Sequence, residues 1–143
     1  MKRNHPLPRP TEGELELLRI LWERGPSTVR DIHLDLSSRR ALGYTSVLKL
    51  LQIMTTKGLV IRDEANRAHV YRAAISQDAM QSKLLKDLSV RLFAGSAAQL
   101  ALHALAMEPA SDAELEEIRA LIQARRSRLS VSEIEPQTQH PRN

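Results

Sequence analysis

Four side chains, Thr45, Lys49, Gln52 and Thr56, recur at steps of four, three and four residues. On a helix turning about 100° per residue they fall within one narrow arc. Each can address a base pair or its backbone. Gln bonds adenine in bidentate fashion, Lys reaches guanine or a phosphate, and Thr meets a thymine methyl or a phosphate. Tyr44 and Ser46 flank Thr45 at the start of the same segment, "YTSVLKLLQIMTTKGLV". The opposite arc holds Val47, Leu50, Leu51 and Met54, so the segment reads as half core and half polar. Every surface helix has a polar solvent face, and the stripe alone does not separate a reading helix from a core helix.

The surrounding charge does more to separate them. From Leu36 to Arg62 there is no Asp or Glu, while Arg39, Arg40, Lys49, Lys57 and Arg62 are cationic; all 17 acids lie elsewhere. A local field of one sign suits a duplex backbone, which takes most protein–DNA hydrogen bonds. Arg67 and His69 extend it, partly offset by Asp63 and Glu64. The candidate DNA-binding residues are therefore Arg39, Arg40, Tyr44, Thr45, Ser46, Lys49, Gln52, Thr56, Lys57, Arg67 and His69.

Other chemistries find little support. The chain of 143 residues has no cysteine, which removes disulfides, thiol nucleophiles and thiolate metal sites, and which fits a reducing cytoplasm. His5, His33, His69, His103 and His140 never lie three or four apart, so no helical metal pair exists; His33 reads as a surface or capping residue. Five glycines form no phosphate loop, and Gly95-Ser96-Ala97 is not a nucleophile elbow. No catalytic residue, metal or cofactor is expected, and no apolar run approaches the ~18 residues of a membrane span. The net charge of +4 is compatible with an acidic partner such as nucleic acid.

The elements that must position the stripe follow from punctuation and period. Residues 1–10, "MKRNHPLPRP", form a basic, Pro-rich arm expected to be disordered. Thr11-Glu12-Gly13-Glu14 is a capping box opening a helix on Leu15, Leu18 and Trp22, widened by Leu17 and Leu21, and stopped near Arg24 by Gly25-Pro26. Thr28 caps a short second helix on Val29, Ile32 and Leu36, with Asp31 in its first turn. After the turn "SSRRALGY", a third helix is predicted from about Thr45 to Thr56, ending at Lys57-Gly58. Two β-like runs, Leu59–Arg62 and Ala68–Arg72, flank a hairpin tip at 63–67. Three helices followed by a hairpin is winged helix-turn-helix order. The predicted fold class is mainly α with a small β-hairpin wing, the winged domain spanning 11–75.

Residues 76–129 read as a helical dimerisation region, followed by a disordered tail at 130–143. Ser76 caps a helix to about Phe93, Gly95-Ser96 interrupts it, and an Ala/Leu-rich helix covers Ala97 to Met107. Ser111-Asp112-Ala113-Glu114 is a second capping box, opening a helix whose acidic start and basic end suit the helix dipole. With aromatics at 3% of the chain, these aliphatic helices make a thin core alone, and a second copy would bury their stripes. The candidate dimer contacts are Leu84, Leu88, Leu92, Phe93, Leu100, Leu115, Ile118, Leu121 and Ile122. A two-fold dimer sets two reading helices about 34–36 Å apart and calls for a palindromic site. The competing arrangement folds the helices back on the winged domain of a monomer.

The same residues resemble a known family. "PTEGELELLRILWERGPSTVRDI" looks like the first helix and turn of the BlaI/MecI/CopY, or penicillinase repressor, transcriptional regulators. "YTSVLKLLQIMTTKGLV" resembles their Tyr-Thr-Thr-Val…Leu…Lys-Gly-Leu-Val pattern, "RAHVYRA" their second wing strand, and "LFAGSAAQLALHAL" the segment before their last helix. The likeness runs from about Pro10 to Arg125. It implies a homodimeric repressor on double-stranded DNA, with a palindromic operator and a dimer interface in the C-terminal helices; "repressor" rests on the resemblance alone. It also implies an upstream sensor protease as a partner, since antibiotic-responsive members are cut at an Asn-Phe bond in the dimerisation region. His103-Ala104 stands in that place here, which puts induction by that cut in doubt. Copper-responsive members carry C-terminal cysteines, absent from this chain. Ile53 stands where many members carry Arg, a change that bears on a phosphate contact or base preference. Two other readings stay open: a winged helix that docks a protein, and a small-molecule-responsive regulator of the MarR kind.

Overall fold

The computed structural model describes residues 9–134. Most of the expected N-terminal arm and residues 135–143 of the expected tail lie outside the described residues.

Local chemistry sets the first three helices. In α1 (Glu12–Arg24) the Thr11 hydroxyl accepts from the Glu14 amide at 3.2 Å, and the Glu14 carboxylate accepts from the Thr11 amide at 2.8 Å. The same reciprocal box, Thr28 with Asp31, opens α2 (Val29–Ser37). Both boxes satisfy amides that a helix start otherwise leaves unpaired. The third helix, α3 (Tyr44–Lys57), follows Gly43 without a side-chain cap and stops at Gly58. Gly58 sits at φ +81°, a left-handed conformation cheap only for glycine. There the Leu59 amide bonds the Met54 carbonyl at 2.9 Å, a Schellman closure that also drives Leu59 into the core.

The wing is a three-stranded antiparallel sheet in the order β1-β3-β2, made of β1 (Ser27–Thr28), β2 (Val60–Asp63) and β3 (Val70–Ala73). The two hairpin strands were anticipated; β1 was not. Ser27 and Thr28 read from sequence only as a helix start, but an N-cap residue has extended backbone angles and can also pair as a strand. Thr28, at φ −80° and ψ 166°, does both, placing Ser27 opposite Tyr71 and itself opposite Val70. The hairpin registers Arg62 with Tyr71 and Asp63 with Val70, leaving residues 64–69 as its tip.

One core joins these pieces. Leu17, Leu18, Ile20 and Leu21 from α1 meet Val29, Ile32 and Leu36 from α2 and Val47, Leu51 and Met54 from α3, closed by Leu59, Val60 and Tyr71 from the wing. Trp22, half-buried, donates its indole N–H to the Ile75 carbonyl at 2.9 Å and ties α1 to the chain leaving the sheet. The next helix, α4 (Gln77–Leu92), is capped by Ser76 and sends Met80 into the same core, with Leu84 packed at its edge. The expected boundary at Ile75 therefore moves: the first compact unit runs to Gly95. The sequence hid this because a single buried Met breaks no periodicity.

The second unit begins at Ser96 and holds α5 (Ala97–Met107) and α6 (Asp112–Ile134). Ser111 and Glu114 form the third capping box, both bonds at 3.1 Å. Residues 130–134, assigned from sequence to a disordered tail, are helical instead. No Gly or Pro interrupts the chain there before Pro136, which disfavours helix at the residue before it. No single described helix is long and apolar enough to cross a membrane.

Candidate nucleic-acid interface

The α3 helix divides as its period requires. Val47, Leu51 and Met54 are buried, while Leu50 and Leu48 are half-buried against the core. Tyr44, Thr45, Ser46, Lys49, Gln52 and Thr56 are all exposed. The Thr56 hydroxyl donates to the Gln52 carbonyl at 3.2 Å. Ile53 shares the exposed arc beside Lys49 and is 41% exposed, an apolar group in an otherwise polar face. The turn before α3 is held by His33, whose Nε2 lies 3.0 Å from the Leu42 carbonyl. The His33 ring also meets the Tyr44 ring edge-on, with centroids 5.9 Å apart, and so fixes the direction of Tyr44.

The cations flanking the stripe behave differently from what the acid-free window suggested. Arg39 pairs with Asp35 at 3.6 Å and Glu23 at 3.7 Å, and Arg40 with Glu16 at 3.1 Å. Arg62 pairs with Glu64, and a hydrogen bond to Tyr71 raises its pKa first, with the Glu64 charge adding to that. The field around α3 is therefore not of one sign, contrary to expectation. The window is free of acids along the chain, but α1, α2 and the wing bring acids to it in space. Arg39 and Arg40 remain about half exposed, and pairs of that kind are weak enough to be exchanged for a phosphate.

Lys57 is the exception. Its ammonium lies 2.8 Å from Glu14 Oε1, and Glu14 is only 1% exposed. Burial pushes the Glu14 pKa up, but the hydrogen bonds from Lys57 and Thr11 outweigh it, and the net direction is down. The second oxygen, Oε2, is buried without a partner. Lys57 thus works inward, clamping the end of α3 to the start of α1, and is a poor candidate for DNA. Lys49, by contrast, forms no ion pair with any acid among the described residues.

Tyr44, Arg67 and His69 come together at a hollow of about 400 Å³ between α2, the first turn of α3 and the wing tip. Its lining also includes Thr28, Val29, Arg30, Leu48, Ala68 and Tyr71. Arg30 was missed in the sequence, where it is an unremarkable residue on the exposed side of a short helix. Only the β1–β3 pairing brings it beside the wing.

The candidate dimer residues lie on three helices. On α4, Leu88 is exposed, Leu92 is 69% exposed and Leu84 is half-buried, as is Phe93 at its C-cap. On α5, Leu100 is half-buried, and no side chain of that helix is buried. On α6, Leu115 and Ile122 are exposed, Leu121 is 62% exposed and Ile118 is half-buried. Leu85 and Val90 on α4, Leu102 and Leu105 on α5, and Leu129 on α6 are exposed as well. Among the described residues no His, Asp and Glu group could hold a metal ion.

The transcriptional regulator BlaI of Mycobacterium tuberculosis is 40% identical over 78 residues, which cover 52% of this chain and 56% of BlaI. The chain thus spans about half the length of those curated relatives. The methicillin resistance regulatory protein MecI of Mammaliicoccus sciuri is 20% identical over 112 residues, covering 78% of this chain and 91% of MecI. Among solved structures, the monomeric form of Bacillus licheniformis BlaI in complex with the blaP half-operator is similar at a TM-score of 0.46 and 19% identity, covering 51% of this chain and 89% of that one. The family described as penicillinase repressor matches residues 10–124. That match runs through both units, and the chain belongs to the penicillinase repressor family.

Proposed function

We propose that the protein is a dimeric, sequence-specific transcriptional repressor of the cytoplasm that binds a palindromic operator with α3 in the major groove. The observation that carries the reading is the exposed face of α3. Thr45, Lys49, Gln52 and Thr56 stand together on it, no acid shares the helix, and Lys49 is uncommitted. A helix of 14 residues spans about 21 Å, long enough to lie across a groove about 12 Å wide. Membership of the penicillinase repressor family, and likeness to regulators named BlaI and MecI, support the same function.

Dimerisation rests on the exposed aliphatic faces of α4, α5 and α6, which a lone chain leaves in water. Large exposed apolar patches mark interaction sites. A second copy of this chain covers it in our reading, through Leu88, Leu92, Leu115, Leu121 and Ile122 among others. A sensor protease upstream is a further proposed partner. Its cut would fall elsewhere than at His103-Ala104, which does not supply the Asn-Phe bond.

Selection from a random duplex pool with the full chain tests the whole reading. Enrichment of an inverted repeat, with half-sites about one duplex turn apart, is the expected result. Failure to enrich any sequence, or enrichment of a single unrepeated half-site by a monomer, contradicts it.

A further inference from the structure

We propose that the hollow between α2, α3 and the wing tip is a seat for one backbone phosphodiester of the duplex, with Arg30 as its principal ligand. The proposal rests on the DNA-reading function and assigns a site beyond the α3 stripe. Arg30, Arg67 and His69 line the hollow together with the Tyr44 ring and its phenol. Most cations around α3 are already paired, Arg39 with Asp35 and Glu23, Arg40 with Glu16, Lys57 with Glu14 and Arg62 with Glu64. The cations of the hollow form no ion pair with any acid among the described residues. The adjacent acid, Asp31, forms no salt bridge with Arg30; its carboxylate accepts from the Thr28 amide at 3.1 Å and feels the charges of Arg24 and Arg30 only at longer range.

The chemistry of the lining selects the ligand. A guanidinium offers a planar fork of donors that matches two phosphate oxygens, and an imidazole N–H donates whichever protonation state it holds. Tyr44 adds a neutral hydroxyl donor, steadied by its edge contact with His33. Val29 and Leu48 add apolar surface to the lining. That combination fits a sugar-phosphate unit, with the anion against the cations and the deoxyribose against the apolar side chains. The position agrees: Tyr44 lies on α3 and on the hollow at once, so a strand leaving the groove past α3 runs onto it.

The test replaces single phosphates by neutral methylphosphonates, walked across each half-site of the selected duplex, with the full chain as binder. Wild type should lose about tenfold in affinity at one backbone position per half-site beyond the bases under α3. Arg30→Ala should lose a similar factor on the unmodified duplex and become indifferent to the modification at that position alone. Arg67→Ala, made on the exposed wing tip, should weaken the same position and no other. Unchanged urea midpoints establish that both variants fold. A parallel titration of the DNA-free protein with inorganic phosphate separates the two sources of the anion. Saturating amide shifts at Arg30 and His69, without a sensitive backbone position, assign the hollow to a free anion and overturn the proposal. So does an Arg30→Ala variant as sensitive as wild type at every position. If the duplex still binds with sequence preference in that case, only the phosphate seat fails. If no duplex is preferred at all, the DNA-reading function fails with it.

Discussion

Replacing Lys57 by Met should cost more than neutralising its partner Glu14, although both changes break the same ion pair. The reason is unequal burial. Glu14 is 1% exposed and keeps one oxygen unpartnered, whereas the Lys57 side chain is 31% exposed and can turn its ammonium to water. Lys57→Met strands a buried carboxylate with only the Thr11 amide, a loss of about 3 kcal/mol, the lower end for a broken buried pair. Glu14→Gln keeps the shape and an acceptor for Thr11 and only weakens a charge-assisted bond to a neutral one, about 1–2 kcal/mol. The double variant has no stranded charge and should be more stable than Lys57→Met alone. The assay is urea unfolding at pH 7 followed by fluorescence of Trp22, the one tryptophan, which reports the winged unit directly. With a slope of about 1.5 kcal/mol/M, Lys57→Met should lower the midpoint by about 2 M. The deficit should shrink from pH 7 to pH 5, because an unpaired buried Glu14 has a raised pKa and gains a proton on folding. Equal costs for the two single variants, or costs that simply add in the double, would refute the assignment of Glu14 as the buried partner.

Other outcomes follow from the same geometry. Glu14, Asp31 and Glu114 all have lowered pKa values, Glu14 against burial and through Lys57 and Thr11, the other two chiefly through the capped amides of Thr28 and Ser111. Their stabilisation is present above the unfolded carboxylate range near pH 4 and is lost as pH falls through the lower folded values. Acid titration of the urea midpoint should therefore fall below about pH 4.5, and less steeply in Glu14→Gln. A fragment ending at Gly95 should melt as the winged unit of the full chain does. One ending at Ile75 loses Met80 from the core and should be destabilised by about 2–5 kcal/mol, measured by the same fluorescence. Lys49→Ala should flatten the dependence of log affinity on log salt by about one unit, and Lys57→Ala should leave that slope unchanged.

How far the sequence could be read depended on the range of the interaction. Two capping boxes, at Thr11 and Ser111, and the Thr28 cap were legible, and all three form as reciprocal hydrogen-bonded pairs, because each needs only residues three apart. The two faces of α3 and its end at Gly58 were legible for the same reason. Pairings that depend on how helices pack were not. Arg40 meets Glu16 and Lys57 meets Glu14 across the fold, so the window without acids gave a misleading picture of charge. Arg30 enters the candidate interface only through the pairing of β1 with β3, and β1 is a two-residue strand concealed inside a helix cap. Met80 joins the core from a helix assigned to the other domain, a single contact without a periodic signature.

The most direct test of α3 as the reading surface compares Gln52→Ala with wild type on two duplexes, the selected operator and a random sequence, at one salt concentration. Gln52 carries no charge and is exposed, so its removal touches neither the core nor the backbone field. The predicted result is a loss of about 1–3 kcal/mol on the operator and almost none on the random duplex. Equal losses on both, or none on either, would contradict the claim that this face of α3 reads bases.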